Sequence, residues 1–105
     1  MYWYDGRQIL AKTIELNIDE PGLLFGATIF TTFRTDKLSS IVYNLHCQRL
    51  RSTLIDLGWC QPNWTYLHQG VKTLTPQFPV LRITIFPDGR ELITGRDLPD
   101  RKSVV

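Results

Sequence analysis

Arginine supplies most of the chemistry this sequence could offer. Arg49 lies beside Arg51 in a leucine-spaced stretch, and Arg82 sits between Leu81 and Ile83. A guanidinium grips phosphate or carboxylate through two parallel hydrogen bonds, so each is a candidate for holding an anion. From spacing alone Arg49 also reads as a solvated helix arginine. Arg82 points away from the side taken by Leu81 and Ile83. It either binds a carboxylate in a cleft or pairs across a sheet surface. Arg34 ends a threonine-rich run and reads as a structural ion-pair partner. Thr32 reads as a strand threonine, a residue type that favours strands for its shape alone. His46 could move a proton, but at a helix start it reads as a structural hydrogen-bonder. His68 has no partner motif and reads as exposed. Trp3, Trp59 and Trp64 read as packing or docking surface. Cys47 and Cys60 form neither a metal-ligand cluster nor a disulfide framework, and a reducing compartment is expected.

The elements that would position these groups follow from pattern. Residues 2–10 form a hairpin about Asp5-Gly6, whose residue types accept the positive φ of a tight turn. Asp19-Glu20-Pro21-Gly22 is a second turn. Residues 23–35, rich in Phe, Ile and Thr, suit one largely buried central strand, with Gly22 and Gly26 permitting close approach at its start. After a polar break at Thr35-Asp36-Lys37, residues 40–43 read as a short strand. Helical spacing then runs over residues 44–57, with Asn44 as N-cap and Gly58 as C-cap. Pro62-Asn63 opens a second helix over residues 64–74, which Pro76 ends. Residues 81–86 form a strand, Pro87-Asp88-Gly89-Arg90 a turn, and residues 91–94 the returning strand. The fold class expected is α+β, a mostly antiparallel sheet with two helices packed on it.

A length of 105 residues is that of one domain, and 43% hydrophobic with 21% charged residues is a globular composition. A net charge of +2 gives no strong field for nucleic acid or a membrane surface. The apolar runs fall short of the ~20 residues that span a bilayer, and the start Met1-Tyr2-Trp3-Tyr4-Asp5-Gly6 has no secretory pattern. A cytoplasmic protein is expected. Residues 100–105, Asp-Arg-Lys-Ser-Val-Val, break with what precedes them and match an in-frame reading of a common sequencing adapter. The expectation is a domain over residues 1–99 and a non-native tail, with a natural disordered terminus as the alternative.

The run Asp19-Glu20-Pro21-Gly22-Leu23-Leu24-Phe25-Gly26-Ala27-Thr28-Ile29-Phe30-Thr31-Thr32-Phe33-Arg34 resembles the opening motif of class IV pyridoxal-phosphate-dependent aminotransferases. His46-Cys47-Gln48-Arg49-Leu50 is similar to the family's His-x-x-Arg-Leu, and the strand around Arg82 falls in the expected order. The small N-terminal domain of that family, of the D-amino-acid aminotransferase-like fold, is what these motifs imply over most of residues 2–98. Phe30-Thr31-Thr32-x-Arg34 is more like the aminodeoxychorismate lyases, because the transaminase branches commonly carry Glu at the position of Thr31. Phe25 replaces a tyrosine that many branched-chain enzymes place near substrate.

The resemblance implies pyridoxal 5'-phosphate as cofactor, with Arg49 at its phosphate and Thr32, Phe25 and Arg82 toward a small-molecule substrate. No catalytic residue is assigned, because Lys12, Lys37, Lys72 and Lys102 match none of the family's positions for the Schiff-base lysine. That lysine would lie on a C-terminal domain, so the chain alone is expected to be inactive and the complete protein a homodimer. The implied reaction converts 4-amino-4-deoxychorismate to p-aminobenzoate and pyruvate, a step of folate biosynthesis. Two alternatives stand beside it: a branched-chain or D-amino-acid transaminase, and a non-catalytic α+β binding or dimerisation module.

Overall fold

The opening hairpin forms as expected. Strands β1 (Tyr2–Tyr4) and β2 (Arg7–Ile9) pair antiparallel about Asp5 and Gly6, whose φ values are 47° and 81°. Both residues are in the left-handed region that a type I′ turn needs. This computed structural model describes residues 1–98, so the expectation of a non-native tail lies outside the described residues.

The stretch over residues 23–35 departs from the single buried strand expected of it. Its start belongs to a one-turn helix α1 (Pro21–Leu24), capped by the Glu20 side chain, which accepts from the Gly22 N–H at 3.5 Å. Proline at a first helical position gives up a donor that would have had no partner. Gly26 then turns the chain at φ 62°, and only Ile29–Arg34 becomes strand β3. That strand lies at the sheet edge, with Thr31 and Phe33 turned inward and Phe30, Thr32 and Arg34 outward.

Residues 40–43 are also corrected, from strand to the first turn of α2 (Ser40–Leu57). The N-cap is Ser39, not Asn44, and its hydroxyl accepts from the Val42 N–H at 3.2 Å. The β-branched pair Ile41-Val42 suggests a strand by propensity alone, a weak preference that one good cap outweighs. Gly58 ends the helix at φ 69°, as its position implied. Helix α3 (Trp64–Leu74) begins at Asn63, whose side chain accepts from the Tyr66 N–H at 3.1 Å.

Strands β4 (Val80–Ile85) and β5 (Glu91–Arg96) complete a five-stranded antiparallel sheet in the order β2-β1-β5-β4-β3. The architecture is α+β, with α2 and α3 on one face. Leu50, Leu54, Leu67, Val71 and Leu74 from the helices meet Trp3, Phe33, Leu81, Ile83, Ile85 and Ile93 from the sheet. Close approach of α3 requires Gly70, where a Cβ would come within 2.6 Å of the Trp3 ring. No helix among the described residues is long and apolar enough to cross a membrane.

Glu91 is an ionisable group in this interior, 1% exposed, and its carboxylate accepts the Gly6 N–H at 2.6 Å. Burial pushes its pKa above the ordinary 4.5, and the bond from Gly6 opposes only part of that rise. The folded chain therefore holds this proton to higher pH than the unfolded chain does. Ionisation costs stability between 4.5 and the raised value. On acidification from about pH 7 to about pH 5, the native chain should gain stability relative to Glu91→Gln, measured by urea denaturation. A difference that does not change with pH would mean that burial leaves this carboxyl unaffected.

Candidate functional site

The sheet face opposite α2 and α3 carries a cleft. Alternation along β3, β4 and β5 turns Phe33, Leu81, Ile83 and Ile93 to the core and leaves the residues between them on the other side. Strand register then sets Thr32 opposite Arg82 and Arg82 opposite Thr94, one row across three strands. Thr32, Arg82, Thr94, Gly95 and Arg96 line a cleft of about 310 Å³. The Arg82 guanidinium stacks on the Phe30 ring, 3.8 Å from its centroid, an arrangement that holds the cation flat and leaves its N–H edge free. Among the described residues neither Arg82 nor Arg96 forms an ion pair. Arg34, on the same face, is occupied by Asp36 through bonds of 3.0 and 2.6 Å, the structural pair expected of it.

The helix side presents a different set. His46 lies within α2, and its Nδ1 is 2.6 Å from the Thr31 hydroxyl, a bond that ties the helix to the edge strand. Desolvation, helped by the nearby Arg49 charge, lowers the His46 pKa and favours the neutral ring. This is the structural hydrogen-bonding role its sequence position implied, although the residue sits within the helix and not at its start. Arg49 follows one turn later, with its side chain exposed and in no ion pair among the described residues.

Of the four residues singled out for binding, Thr32 and Arg82 share the cleft. Arg49 and Phe25 are not among its lining residues. Phe25 follows α1 and is 79% exposed. Thr94 and Arg96 were not singled out from sequence. The returning strand, expected to end at residue 94, runs on to Arg96, and the pairing that brings both residues beside Arg82 was not visible.

His68 is exposed, as expected, and its Nδ1 is 2.6 Å from the Tyr43 hydroxyl, while Arg51 stacks over Trp64 at 4.6 Å. Trp3 is in the core, and Trp59 and Trp64 pack against it. Cys47 is buried and Cys60 exposed, both free. No group of His, Cys, Asp or Glu among the described residues could hold a metal ion. No family model, curated protein or solved structure matches the chain.

Proposed function

We propose that this chain is the small N-terminal domain of a class IV pyridoxal-phosphate-dependent enzyme whose parent acts as an aminodeoxychorismate lyase. The observation that carries this reading is the pairing of the ordered motifs with the β3–α2 geometry. His46 is bonded to Thr31, and Arg49, one turn on, keeps an exposed guanidinium free of ion pairs among the described residues. An arginine meant for a phosphate should be in that condition before the ligand arrives. Arg49 would hold the phosphate, and the cofactor would supply an electron sink for bonds at the amine-bearing carbon of the substrate.

The chain's other residues bind and orient. Arg82, held flat on Phe30, would take a substrate carboxylate, and the Thr32 hydroxyl in the same cleft would fix its direction. Phe25 would offer an apolar wall. No lysine among the described residues lines the cleft, and a companion C-terminal domain would contribute the amine that moves the proton. Edge strand β3, paired on one side only, would border that domain. Arg49 would then approach from the side of α2, and Thr32 with Arg82 from the opposite side. Exposed Leu23, Leu24, Phe25, Ile41 and Leu45 suit a surface that meets another domain or the second copy of a homodimer. A cytoplasmic enzyme belongs to the same reading.

With its companion domain, the protein should release p-aminobenzoate and pyruvate from 4-amino-4-deoxychorismate. This chain by itself should show no turnover. Formation of glutamate from 2-oxoglutarate and a branched-chain amino acid, without p-aminobenzoate, would replace the lyase with a transaminase.

A further inference from the structure

We infer that β3 is a self-pairing edge, along which two copies of this chain join antiparallel into one continuous sheet across a twofold axis. The inference goes beyond the proposed function, in which the same edge borders a companion domain. The two arrangements exclude each other, so self-pairing belongs to the chain without that domain.

The open edge is the first ground. Among the described residues β3 ends the sheet and pairs with β4 alone. Thr35 donates its N–H to the Pro79 carbonyl at 2.9 Å, next in register to the pair of Arg34 with Val80. Backbone groups alternate sides along a strand, so Thr31 and Phe33 face β4 as Thr35 does. Phe30, Thr32 and Arg34 therefore direct their N–H and C=O groups outward. Folded chains guard such an edge with proline, lysine, a bulge or a cover. Ile29–Arg34 contains neither proline nor lysine, and its register with β4 runs unbroken. Its one charge, Arg34, is neutralised by Asp36.

Register shows how well a second copy fits. Residues two apart share a face, so each face stays continuous only if Phe30, Thr32 and Arg34 oppose one another. With a twofold axis normal to the sheet at Thr32, Thr32 meets Thr32 of the second copy, and Phe30 meets its Arg34. All three outward residues then form hydrogen-bonded pairs. A shift of two residues one way would engage Thr28, whose N–H already goes to the Gly26 carbonyl at 2.8 Å. A shift the other way would engage Asp36, in the short helical turn Thr35–Lys37.

Area is the second ground. The six-residue edge is roughly 20 Å long, and a strip about 10 Å deep on each copy gives about 400 Å². That is well below the roughly 1,200 Å² of a stable complex. Helix α2 adds the rest. Arg51 stacks on Trp64 of α3, and the His46 ring bonds to Thr31 of β3. At about 3.6 residues per turn, Val42, Leu45 and Arg49 occupy the flank opposite Arg51, above the open edge. Val42 and Leu45 are 39% and 54% exposed. His46 lies over Thr31 and Tyr43 over Phe33, so an axis through Thr32 passes close to Leu45. Leu45 then packs on Leu45 of the second copy. An 18-residue helix is roughly 27 Å long and adds about 600 Å² along its flank. The total of roughly 1,000 Å² is that of a weak interface, with a dissociation constant of about 10–100 μM.

The experiment is sedimentation velocity of the 105-residue chain from about 5 μM to about 1 mM, which brackets that constant. A monomer is expected at the low end and a dimer at the high end. Thr32→Pro removes the central N–H, a change that edge strands tolerate, and should weaken pairing roughly tenfold or more. Leu45→Glu sets two like charges at the axis and should also weaken it. Ile55→Glu alters a comparably exposed residue elsewhere on α2 and should change nothing. A native amide spectrum in dilute solution shows that each variant is folded. In a mixture of isotopically labelled and unlabelled chains, filtered spectra should show the α protons of Thr31 and Phe33 in contact between copies. These residues form a non-hydrogen-bonded pair in this register, where the strands approach most closely.

A chain that stays monomeric at about 1 mM would overturn the inference. So would a dimer that survives both substitutions, or filtered contacts that place another surface at the axis. Neither cofactor nor companion domain enters the experiment, so its failure would leave the Arg49 assignment standing, and the reverse holds as well.

Discussion

Replacing Arg90 with alanine is expected to destabilise the fold by about 2–4 kcal/mol, because it strands a buried carboxylate. The Arg90 head donates to Glu20 Oε2 at 2.6 Å, to Tyr4 Oη at 2.7 Å and to both Asp88 oxygens at 2.9 and 2.7 Å. It also lies over the Phe86 ring, 4.6 Å from the centroid. One side chain thus joins strand β1, the cap of α1 and the β4–β5 turn. Glu20 is only 6% exposed, so without the guanidinium its charge has little water to turn to.

Asp88 provides the contrast. Despite some desolvation, its hydrogen bonds to Arg90 keep its pKa below the ordinary carboxylate value. Its side chain is 58% exposed, however, and Asp88→Asn should cost under about 1 kcal/mol. The shift of the urea midpoint in the two variants measures both. The Arg90 substitution should loosen α1, which Glu20 caps, while the amides of Thr32 and Arg82 in the distant rows of the sheet keep their native shifts. An Arg90→Ala loss as small as that of Asp88→Asn would show that solvent already screens the Glu20 charge.

That clasp was invisible in the sequence, where Glu20 and Arg90 read as parts of two unrelated turns. Signals confined to a few neighbouring residues fared better. Asp5-Gly6, Gly58 and Asn63 each announce a backbone conformation or a cap, and each is found where it was expected. The α+β class followed from the order of patterns, and the sheet with helices on one face agrees with it.

Two local readings failed for physical reasons. Over residues 40–43, β-branched composition competed with a serine cap, and the cap prevailed because it starts an 18-residue helix that buries Cys47, Leu50 and Leu54. In residues 23–35, apolar composition hid the break imposed by Pro21 at a helix start and Gly26 in the left-handed region. The candidate site was legible in part. Alternation alone turned Arg82 away from Leu81 and Ile83, but its neighbours Thr94 and Arg96 depend on long-range register, which no local pattern encodes.

Arg49→Gln is expected to have the largest functional effect. Two charge-assisted hydrogen bonds to a phosphate, each worth about 1.5–3 kcal/mol, would be weakened together. If the proposed function holds, cofactor retention in the complete protein should fall about 100-fold. Arg49→Lys should recover only part of the loss, since an ammonium keeps the charge but not the fork. Arg49 is exposed on α2 and makes no ion pair among the described residues. Neither variant should therefore lower the stability of the fold by more than about 0.5 kcal/mol.

The most direct measurement compares pyridoxal 5'-phosphate with pyridoxal, which has the same ring and aldehyde but no phosphate. Each is titrated into the labelled chain while the amides of His46, Arg49 and Leu50 are followed. If Arg49 is built for the phosphate, only the phosphorylated compound will shift those amides, and Arg49→Gln will abolish the response. Identical shifts from both compounds, or a response that survives loss of the guanidinium, would contradict the assignment.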